Sequence, residues 1–377
     1  MRLHSFLGLA LLLAACSDSS APGGSTSSGG GSSGGSSGTS SGSSSGTSGG
    51  TGACPSASTP EIGQLSGEFK QLAISKDDLF TVHTNAGADV ILGKSGVVLR
   101  VPKAGGAGAP FHTPDAMRTV QSIYADATDL FVAEGDAGAA GDRPGRIIKK
   151  NIATGTVTEL LPTGIEKALV NFLTADDQYV YLEQASSKSG AFGIYRLAKA
   201  GGALETVVEV DSGAFLSTQR VGADFVFAAQ TNKIHRVPLS NAGAPAASIA
   251  EKTCTGGFAV TSEALFCGQA LEIEKSGPAF NDFQRFLRLE EVPALKASGA
   301  TGSQPRLVTS DAVYVRFNPN GAKAPILRID RATLANRPVM CDAGWIDAMV
   351  ADEQSLYALQ VRNEKFETAA KLFKAPR

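Results

Sequence analysis

From residue 70 onward the chain repeats one pattern of hydrophobic and polar positions. In each copy a polar turn precedes an apolar residue and an aromatic residue that begin a strand-like segment. The copies are Asp78-Leu79-Phe80, Asp129-Leu130-Phe131, Tyr179-Val180-Tyr181, Phe225-Val226-Phe227, Ala264-Leu265-Phe266, Ala312-Val313-Tyr314 and Ser355-Leu356-Tyr357. Their final aromatic residues are separated by 51, 50, 46, 39, 48 and 43 residues. These intervals are close to the length of one four-stranded unit in a circular β-repeat protein.

A second motif follows each aromatic copy: an apolar residue, any residue, and then a base. The copies are Val98-Leu99-Arg100, Ile147-Ile148-Lys149, Ile194-Tyr195-Arg196, Ile234-His235-Arg236, Phe286-Leu287-Arg288, Ile326-Leu327-Arg328 and Leu372-Phe373-Lys374. Several run into a Gly-containing turn, which is typical of a strand that ends in a tight reversal. Since no helical apolar periodicity extends beyond a turn or two, the pattern predicts an all-β body.

Seven copies of each motif predict a β-propeller of seven four-stranded blades. The innermost strand of a blade precedes the aromatic motif, the second carries it, the third carries the base, and the fourth forms the outer edge. The chain stops after the third strand of the last blade, so we expect the segment from Pro60 to Leu65 to supply the missing outer strand and close the ring. Six or eight blades, or a two-sheet sandwich, are the alternatives.

The paired motifs resemble those of two groups of propellers. One is the YWTD type of the low-density-lipoprotein-receptor kind, and the other is the bacterial lipoprotein propellers with I-x-R-V-P-x-x-G-G turns. The nearest copy is Arg100-Val101-Pro102-Lys103-Ala104-Gly105-Gly106, although the YWTD tetrad is degraded to Phe80-Thr81-Val82 or Tyr181-Leu182-Glu183. The resemblance covers residues 70 to 377 and implies the propeller fold, but it does not imply a ligand.

The N-terminus has the pattern of a secretory signal over residues 1–15. Arg2 precedes an apolar run from Phe6 to Leu13, which is too short to span a membrane as a helix. Leu13-Ala14-Ala15-Cys16 resembles the lipobox of bacterial lipoproteins, in which the cysteine is acylated after cleavage. The resemblance implies lipid attachment at Cys16, and Ser17 after it favours the outer membrane of a Gram-negative cell envelope. An ordinary signal with a chance cysteine is the alternative.

The segment after Cys16 is almost entirely Ser, Gly and Thr up to about Gly52. Such a composition offers too little apolar surface to offset the entropy of ordering, so it predicts a disordered tether. We therefore divide the chain into a signal peptide (1–15), a lipidated cysteine with its tether (16–53) and a propeller domain (54–377).

Four cysteines remain after Cys16, and an even number suits two disulfides in an oxidising compartment. Cys254 and Cys267 flank one predicted hairpin and form the favoured pair, which leaves Cys54 with Cys341. Four cysteines allow three connectivities, so the pairing stays open. A zinc site is the competing interpretation, but the four cysteines lack a C-x-x-C spacing and a nearby histidine.

Charge and repetition restrict where function lies. The 34 Lys and Arg and 36 Asp and Glu residues are scattered, so a nucleic-acid partner lacks its usual basic footprint. Repeated residues are explained by the blade itself, so we expect function on the face with the longer connections after the second strands. These are predicted at residues 85–96, 134–145, 183–193 and 268–284.

Candidate ligand-binding residues are few. Trp345 and Asp347 begin the innermost strand of the last blade near the channel, and His83 ends a second strand. Core packing is the alternative for Trp345, the single tryptophan. The acidic segment with Glu134, Asp136 and Asp142 is a weak calcium candidate without EF-hand spacing, and a solvated loop is the alternative. We expect no other cofactor.

The first hypothesis is a membrane-tethered extracytoplasmic binding module for a protein, peptide or glycan on the long-loop face. The second is a propeller enzyme of the lyase, lactonase or glycosidase kind, which needs titratable groups that converge at the channel mouth. A structural component of the cell envelope is the third. Fold alone does not separate them.

Overall fold

The computed structural model describes residues 61–65, 68–84, 96–115, 118–136, 144–161, 170–185, 192–210, 217–228, 234–239, 247–250, 254, 257–269, 272–279, 281–288, 291–292, 303–317, 325–340, 345–362 and 368–377. None of them forms a helix long and apolar enough to cross a membrane.

The described strands form seven antiparallel four-stranded sheets. Strand β1 (Glu61–Leu65) comes first in the chain. Blade 1 contains β2 (Glu68–Ile74), β3 (Asp78–Thr84), β4 (Val97–Pro102) and β5 (Ala109–His112). Blade 2 contains β6 (Arg118–Ala125), β7 (Asp129–Asp136), β8 (Arg146–Asn151) and β9 (Val157–Glu159). Blade 3 contains β10 (Val170–Ala175), β11 (Tyr179–Ala185), β12 (Phe192–Ala198) and β13 (Leu204–Val210).

The remaining blades follow the same order from the axis outward. Blade 4 contains β14 (Ser217–Val221), β15 (Asp224–Ala228), β16 (Ile234–Pro238) and β17 (Ala247–Ala250). Blade 5 contains β18 (Phe258–Val260), β19 (Leu265–Gly268), β20 (Glu272–Ser276) and β21 (Gln284–Arg288). Blade 6 contains β22 (Ser303–Val308), β23 (Ala312–Phe317), β24 (Ile326–Asp330) and β25 (Asn336–Met340). Blade 7 contains β26 (Trp345–Ala351), β27 (Ser355–Arg362) and β28 (Thr368–Pro376), with β1 on its outer edge.

The seven-bladed β-propeller predicted from the repeats is confirmed, including its closure by the N-terminal strand. Strand β1 pairs antiparallel with β28, with Glu61 opposite Phe373 and Leu65 opposite Ala370. The innermost strands contact one another in chain order, and β26 contacts β2. The ring therefore closes through a sheet built from both ends of the domain, which leaves no open gap between blades 7 and 1.

The core consists of seven hydrophobic clusters among the described residues, one between each pair of neighbouring blades. The predicted aromatic positions supply much of it, and Phe80, Phe131 and Tyr357 are almost completely buried. Each blade carries apolar side chains on both faces because each face lies against a neighbour. This packing explains why the aromatic motif recurs once per blade.

Ion pairs link several neighbouring blades near the turns that follow the innermost strands. Lys103 Nζ lies 2.9 Å from Asp352 Oδ2, and Lys199 Nζ lies 2.6 Å from Asp126 Oδ2. Each acid belongs to the turn after an innermost strand, and each base belongs to the next blade in the ring. The same acids accept backbone N–H bonds within their own turns, as Asp352 does from Ser355. Asp residues in the repeated polar turns therefore both cap a turn and bind the adjacent blade.

The prediction of which residues form the third strand of blade 5 was wrong. The third strand is β20, whereas Phe286-Leu287-Arg288 lies on the outer strand β21, so the predicted long connection from Gly268 to Gln284 contains a strand. Strand β20 has one aliphatic residue, Ile273, between charged residues, so its pattern is weaker than that of β21. The base opposite Phe266 is Lys275.

In blade 4 the aromatic motif begins one residue earlier in the chain than predicted. Asp224 pairs with Pro238 there, as Asp78 pairs with Pro102 in blade 1. Arg236 consequently lies opposite Val226 rather than Phe227. The aliphatic side chain of Val226 takes the buried position that an aromatic ring occupies in the other blades.

A substitution in β1 tests the closure of the ring. Ile62 packs against the cluster between blades 7 and 1, so Ile62→Asp should place a charge against apolar side chains. We expect a loss of about 2 kcal/mol and a thermal midpoint lower by about 5 °C. Val157→Asp is the matched control, because Val157 is 52% exposed on an outer strand. Equal midpoints for the two variants would show that β1 does not contribute to the closed ring.

Candidate functional site

The innermost strands surround the propeller axis, and several of them contain a β-bulge near their middle. The pairing register shifts between Pro305 and Leu307 in β22, between Ile346 and Ala348 in β26, and between Lys70 and Ala73 in β2. A bulge leaves a residue outside the regular ladder and redirects its side chain. The residues at these positions include Gln71, Arg306 and Asp347, so the bulges place polar groups along the axis.

Side-chain amides join neighbouring innermost strands. Gln71 Nε2 donates to the carbonyl oxygen of Gln121 at 2.7 Å, and Gln71 Oε1 accepts from the N–H of Ile123 at 3.0 Å. Gln219 makes the same kind of bridge, and its Oε1 accepts from the N–H of Val260 at 3.0 Å. These bonds satisfy backbone groups that face a neighbouring blade rather than a paired strand. They hold the inner wall of the channel in a defined geometry.

Gln71 has a left-handed backbone conformation, with a φ of 59°. This conformation is costly for a residue with a Cβ, and it persists only where surrounding contacts enforce it. Besides the side-chain bonds to blade 2, the N–H of Gln71 donates to Asp347 Oδ2 in blade 7 at 3.1 Å. Gln71 thus connects blades 7, 1 and 2 at the axis, beside the charged residues of the channel.

Four charged residues from blades 6, 7 and 1 interact electrostatically, with Asp347 as the shared acid, and we call them the channel cluster: Lys70 on β2, Arg306 on β22, Arg316 on β23 and Asp347 on β26. Arg316 is buried and donates through Nη1 to the carbonyl oxygen of Ile346. Lys70 is half-buried, whereas Arg306 and Asp347 are exposed. The cluster therefore combines one buried guanidinium with three charged groups that solvent reaches.

The charges of the cluster influence one another. Burial lowers the pKa of Lys70, and the negative charge of Asp347 opposes that shift. Burial and the positive charge of Arg306 lower the pKa of Arg316 to about 10, again against the effect of Asp347. Loss of hydration also lowers the pKa of Arg306, and the negative charge of Asp347 opposes that shift. Within the described part of the channel, three cations share one carboxylate, which favours an anionic ligand.

Two other ligand-binding residues were predicted from the sequence, His83 and Trp345. His83 lies at the end of β3, and its ring centroid is 4.7 Å from that of Phe69, which belongs to the core between blades 7 and 1. Trp345 begins β26 and pairs with Arg362, but its side chain lies outside the described residues. Of the three predicted residues, Asp347 is the one that the described contacts bring into the channel cluster.

The predicted acidic loop is largely a strand, because Glu134 and Asp136 belong to β7. The side chain of Glu134 is 0% exposed, and its two oxygens accept from His112 Nε2 and Arg146 Nε, each at 2.6 Å. Both carboxylate oxygens of Glu134 therefore face protein donors. Asp142 lies outside the described residues. Within the described ranges no group of three His, Cys, Asp or Glu residues is arranged to hold a metal ion.

Burial raises the pKa of Glu134, but hydrogen bonds from His112 and Arg146, together with the positive charge of Arg146, outweigh burial and hold the pKa below its usual value. The carboxylate is thus ionised and paired between blades 1 and 2. A buried, hydrogen-bonded charge of this kind is costly to leave without one of its partners. The group contributes structure at a blade interface.

A second acid, the half-buried Glu183 on β11, has the opposite shift. Burial raises its pKa, and a hydrogen bond from Thr218 Oγ1 at 3.1 Å partly offsets that effect. Glu183 and Thr218 belong to blades 3 and 4, whereas Asp347 belongs to blade 7. The structure therefore does not place Glu183 beside the carboxylate of the channel cluster.

A disulfide joins Cys254 and Cys267, whose Cα atoms are 5.1 Å apart. Cys267 lies on β19, and Cys254 precedes the innermost strand β18. The bond ties the chain segment that enters blade 5 to the second strand of that blade. The lipobox residue Cys16 and the other predicted pair, Cys54 and Cys341, lie outside the described residues.

Sequence reasoning missed Lys70, Arg306 and Arg316 as site residues. The available signal was a base in or beside an otherwise apolar strand, as in Pro305-Arg306-Leu307. The sequence does not show which side chains of neighbouring innermost strands come together at the same depth along the axis. Closure of the ring brings blades 6, 7 and 1 together and makes these bases a group.

Comparisons with known proteins identify the fold. No family model and no curated protein matches the chain. It is similar to YCF48 bound to a D1 peptide, with a TM-score of 0.56 and 10% identity over 86% of this chain and 97% of that chain. A chain in the mitotic checkpoint complex matches with a TM-score of 0.55 and 13% identity, over 86% of this chain and 96% of that chain.

The extracellular domain of BT4673 from B. thetaiotaomicron also matches, with a TM-score of 0.54 and 10% identity. The match covers 84% of this chain and 40% of that chain. At these identities the likeness concerns the fold alone. Together with the blade topology, it places the chain among the β-propellers.

The buried contacts of Glu134 should make the stability of the domain depend on pH. Glu134→Gln should destabilise the domain by about 3 kcal/mol at pH 7, because a buried ion pair loses one partner. The folded pKa is lowered, so the contribution of the ionised carboxylate is present at neutral pH. It is lost as the pH falls from the ordinary glutamate pKa of about 4.3 through the lower folded pKa. The gap between the melting midpoints of the two proteins should therefore narrow in acid.

Glu205→Gln is the matched control for this substitution. Glu205 pairs with Arg196 at 2.7 Å, but its side chain is 48% exposed, so the same change should cost less than about 1 kcal/mol. Equal effects of the two substitutions at pH 7, or a Glu134→Gln effect that does not change with pH, would contradict the assignment of Glu134 as a buried paired carboxylate.

Proposed function

We propose that this protein is a membrane-tethered, extracytoplasmic binding module whose propeller binds an acidic segment of a protein or peptide partner at the channel cluster. The observation that carries the proposal is the grouping of three cations around one carboxylate on the inner wall, with Lys70 and Arg306 in contact with solvent. A ligand carboxylate binds most favourably where cationic donors are already held in place, because little side-chain entropy is then lost on binding.

Peptide recognition by the fold has a precedent. YCF48 was solved with a bound D1 peptide, and a propeller-like chain is part of the mitotic checkpoint complex. These two partnerships belong to those proteins. For this chain, the channel cluster supplies the specific reason to choose an acidic segment over a neutral peptide or glycan. The resemblance to YWTD-type propellers stays a prediction.

The proposed cellular location depends on the N-terminal sequence. Leu13-Ala14-Ala15-Cys16 supports lipid attachment at Cys16, and the Ser/Gly-rich segment supports a tether between that lipid and the propeller. Ser17 supports sorting to the outer membrane of a Gram-negative cell. We therefore propose that the channel faces partners in the cell envelope.

The ligand proposal is tested with a fluorescein-labelled hexaglutamate peptide and fluorescence anisotropy. The double variant Lys70→Gln, Arg306→Gln should bind the peptide at least tenfold more weakly, because two of the attracting charges are removed. Binding to the wild-type protein should also weaken steeply as the salt concentration rises. A hexalysine peptide should not bind.

Arg337→Gln is the control, since Arg337 is an exposed cation on the outer strand β25. It should leave the affinity within about twofold of the wild-type value. Undiminished hexaglutamate binding by the double variant would overturn the channel proposal. Turnover of a glycoside or lactone substrate that the double variant abolishes would instead support the enzyme hypothesis.

The tether is tested by changing the proposed acylation site. Cys16→Ala should move the protein from the membrane fraction to the soluble fraction and abolish incorporation of labelled palmitate, because several acyl chains are lost at once. Ser19→Ala, close to the same site, should change neither result. A Cys16→Ala protein that stays in the membrane fraction would refute lipid anchoring at this residue.

A further inference from the structure

Two turns between third and fourth strands share one backbone geometry but differ at one residue. In blade 2, Asn151 Oδ1 accepts from the N–H of Thr154 at 2.9 Å, and the N–H of Gly155 donates to the Asn151 carbonyl oxygen at 2.9 Å. Gly155 has a φ of 72°. In such a turn glycine is the expected residue, because it adopts a left-handed conformation without steric cost.

The corresponding turn of blade 6 has leucine at this position. Asp330 Oδ1 accepts from the N–H of Thr333 at 2.8 Å, and the N–H of Leu334 donates to the Asp330 carbonyl oxygen at 3.0 Å. Leu334 has a φ of 61°, a conformation that a branched apolar residue rarely adopts. The turn itself therefore gives no reason for leucine.

Packing gives no reason either, because Leu334 is 44% exposed. Within the described residues, Leu334 and Val157 are the large hydrophobic residues with exposed side chains. Leu334 thus combines unfavourable backbone geometry with exposed apolar surface, and neither feature stabilises the fold. Backbone strain and exposed apolar surface that occur together are features of binding sites.

Leu334 lines a cavity of about 340 Å³ between the third-to-fourth-strand turns of blades 5 and 6. This volume lies within the range of small-ligand and peptide side-chain pockets. The cavity walls carry three cations, Lys275, Arg285 and Arg331, and one acid, Asp282. The carboxylate of Asp282 is hydrogen-bonded within its own turn, since Oδ1 accepts from the N–H of Gly277 at 3.0 Å.

The cations differ in how the fold uses them. Arg331 donates to the carbonyl oxygen of Ser310 at 2.7 Å and pairs with Glu263 Oε2 at 3.0 Å, so it links blades 5 and 6. Lys275 lies over the ring of Phe266, with Nζ 5.9 Å from the centroid. Arg285 is exposed and forms no ion pair with a described residue. The cavity therefore offers an apolar contact at Leu334 beside a guanidinium that is accessible to a ligand.

We infer that this cavity is a second docking site, separate from the channel cluster, for a partner segment that places an apolar side chain next to a carboxylate. Leu334 packs against the apolar side chain, while Arg285 and Lys275 attract the carboxylate. The cavity lies among turns at the outer part of blades 5 and 6, whereas the channel cluster lies on the inner wall of blades 6, 7 and 1. The two sites therefore share no residue.

The test uses the full chain with Lys70→Gln and Arg306→Gln already present, so that binding at the channel does not contribute. The probe is a fluorescein-labelled octapeptide of alternating Leu and Asp, and the measurement is fluorescence anisotropy. In this background, Leu334→Asn should weaken binding at least fivefold. Its melting midpoint should stay equal or rise, because asparagine tolerates the left-handed conformation better than leucine. Loss of binding without loss of stability separates a docking residue from a structural one.

Two further variants complete the test. Arg285→Gln should weaken binding of the Leu-Asp peptide at least threefold and reduce its dependence on salt. Val157→Asn removes a comparable exposed apolar side chain from blade 2 and should leave binding unchanged. Full binding by Leu334→Asn, or equal binding of an octapeptide of alternating Leu and Lys, would overturn the inference. Sedimentation that shows a dimer dissociated by Leu334→Asn would overturn it in favour of a second copy of this chain.

Because the background already lacks two channel cations, failure of this test leaves the channel proposal standing, and failure of hexaglutamate binding leaves this inference standing.

Discussion

The structure depends on the burial of both faces of every blade against its neighbours. A blade with apolar side chains on both sides has no stable surface of its own, so the ring must close completely. The last interface is between blades 7 and 1, where Ile62 of the N-terminal strand joins Phe69, Leu79 and Tyr357 in one cluster. The pairing of β1 with β28 therefore completes both a sheet and a core.

Closure of the ring also determines what stands at the axis. Once blades 6, 7 and 1 are adjacent, the bulges in their innermost strands bring Arg306, Asp347 and Gln71 into one region. The Gln71 side chain reaches blade 2, and its N–H reaches Asp347 in blade 7. The site is thus assembled from separate blades. Its rigidity depends on the rigidity of those blades. A rigid cationic site favours a ligand through preorganisation.

The blade architecture could be predicted because its chemistry repeats. Phe80 and Tyr357 occupy equivalent buried positions, and the spacing of such residues shows how many units the chain contains. Prediction was wrong where a local pattern was weak. Strand β20 has Ile273 between charged residues, so the stronger pattern of Phe286 and Leu287 was assigned to its place. The environment of Glu134 was missed for a different reason, since its partner His112 belongs to another blade.

The channel cluster was only partly predictable, and the cavity beside Leu334 was not predictable. Asp347 was placed on the innermost strand because its blade could be counted, but Lys70 and Arg306 are distant in sequence and become neighbours only in the closed ring. Leu334 is an ordinary residue in the sequence, and its left-handed φ of 61° is a property of the folded turn.

The most direct measurement is a crystal structure of the mature protein with hexaglutamate bound. We expect a ligand carboxylate within hydrogen-bond distance of both Lys70 Nζ and the Arg306 guanidinium on the inner wall of the channel. A peptide bound elsewhere on the propeller, with neither side chain in contact with it, would contradict ligand binding at the channel cluster.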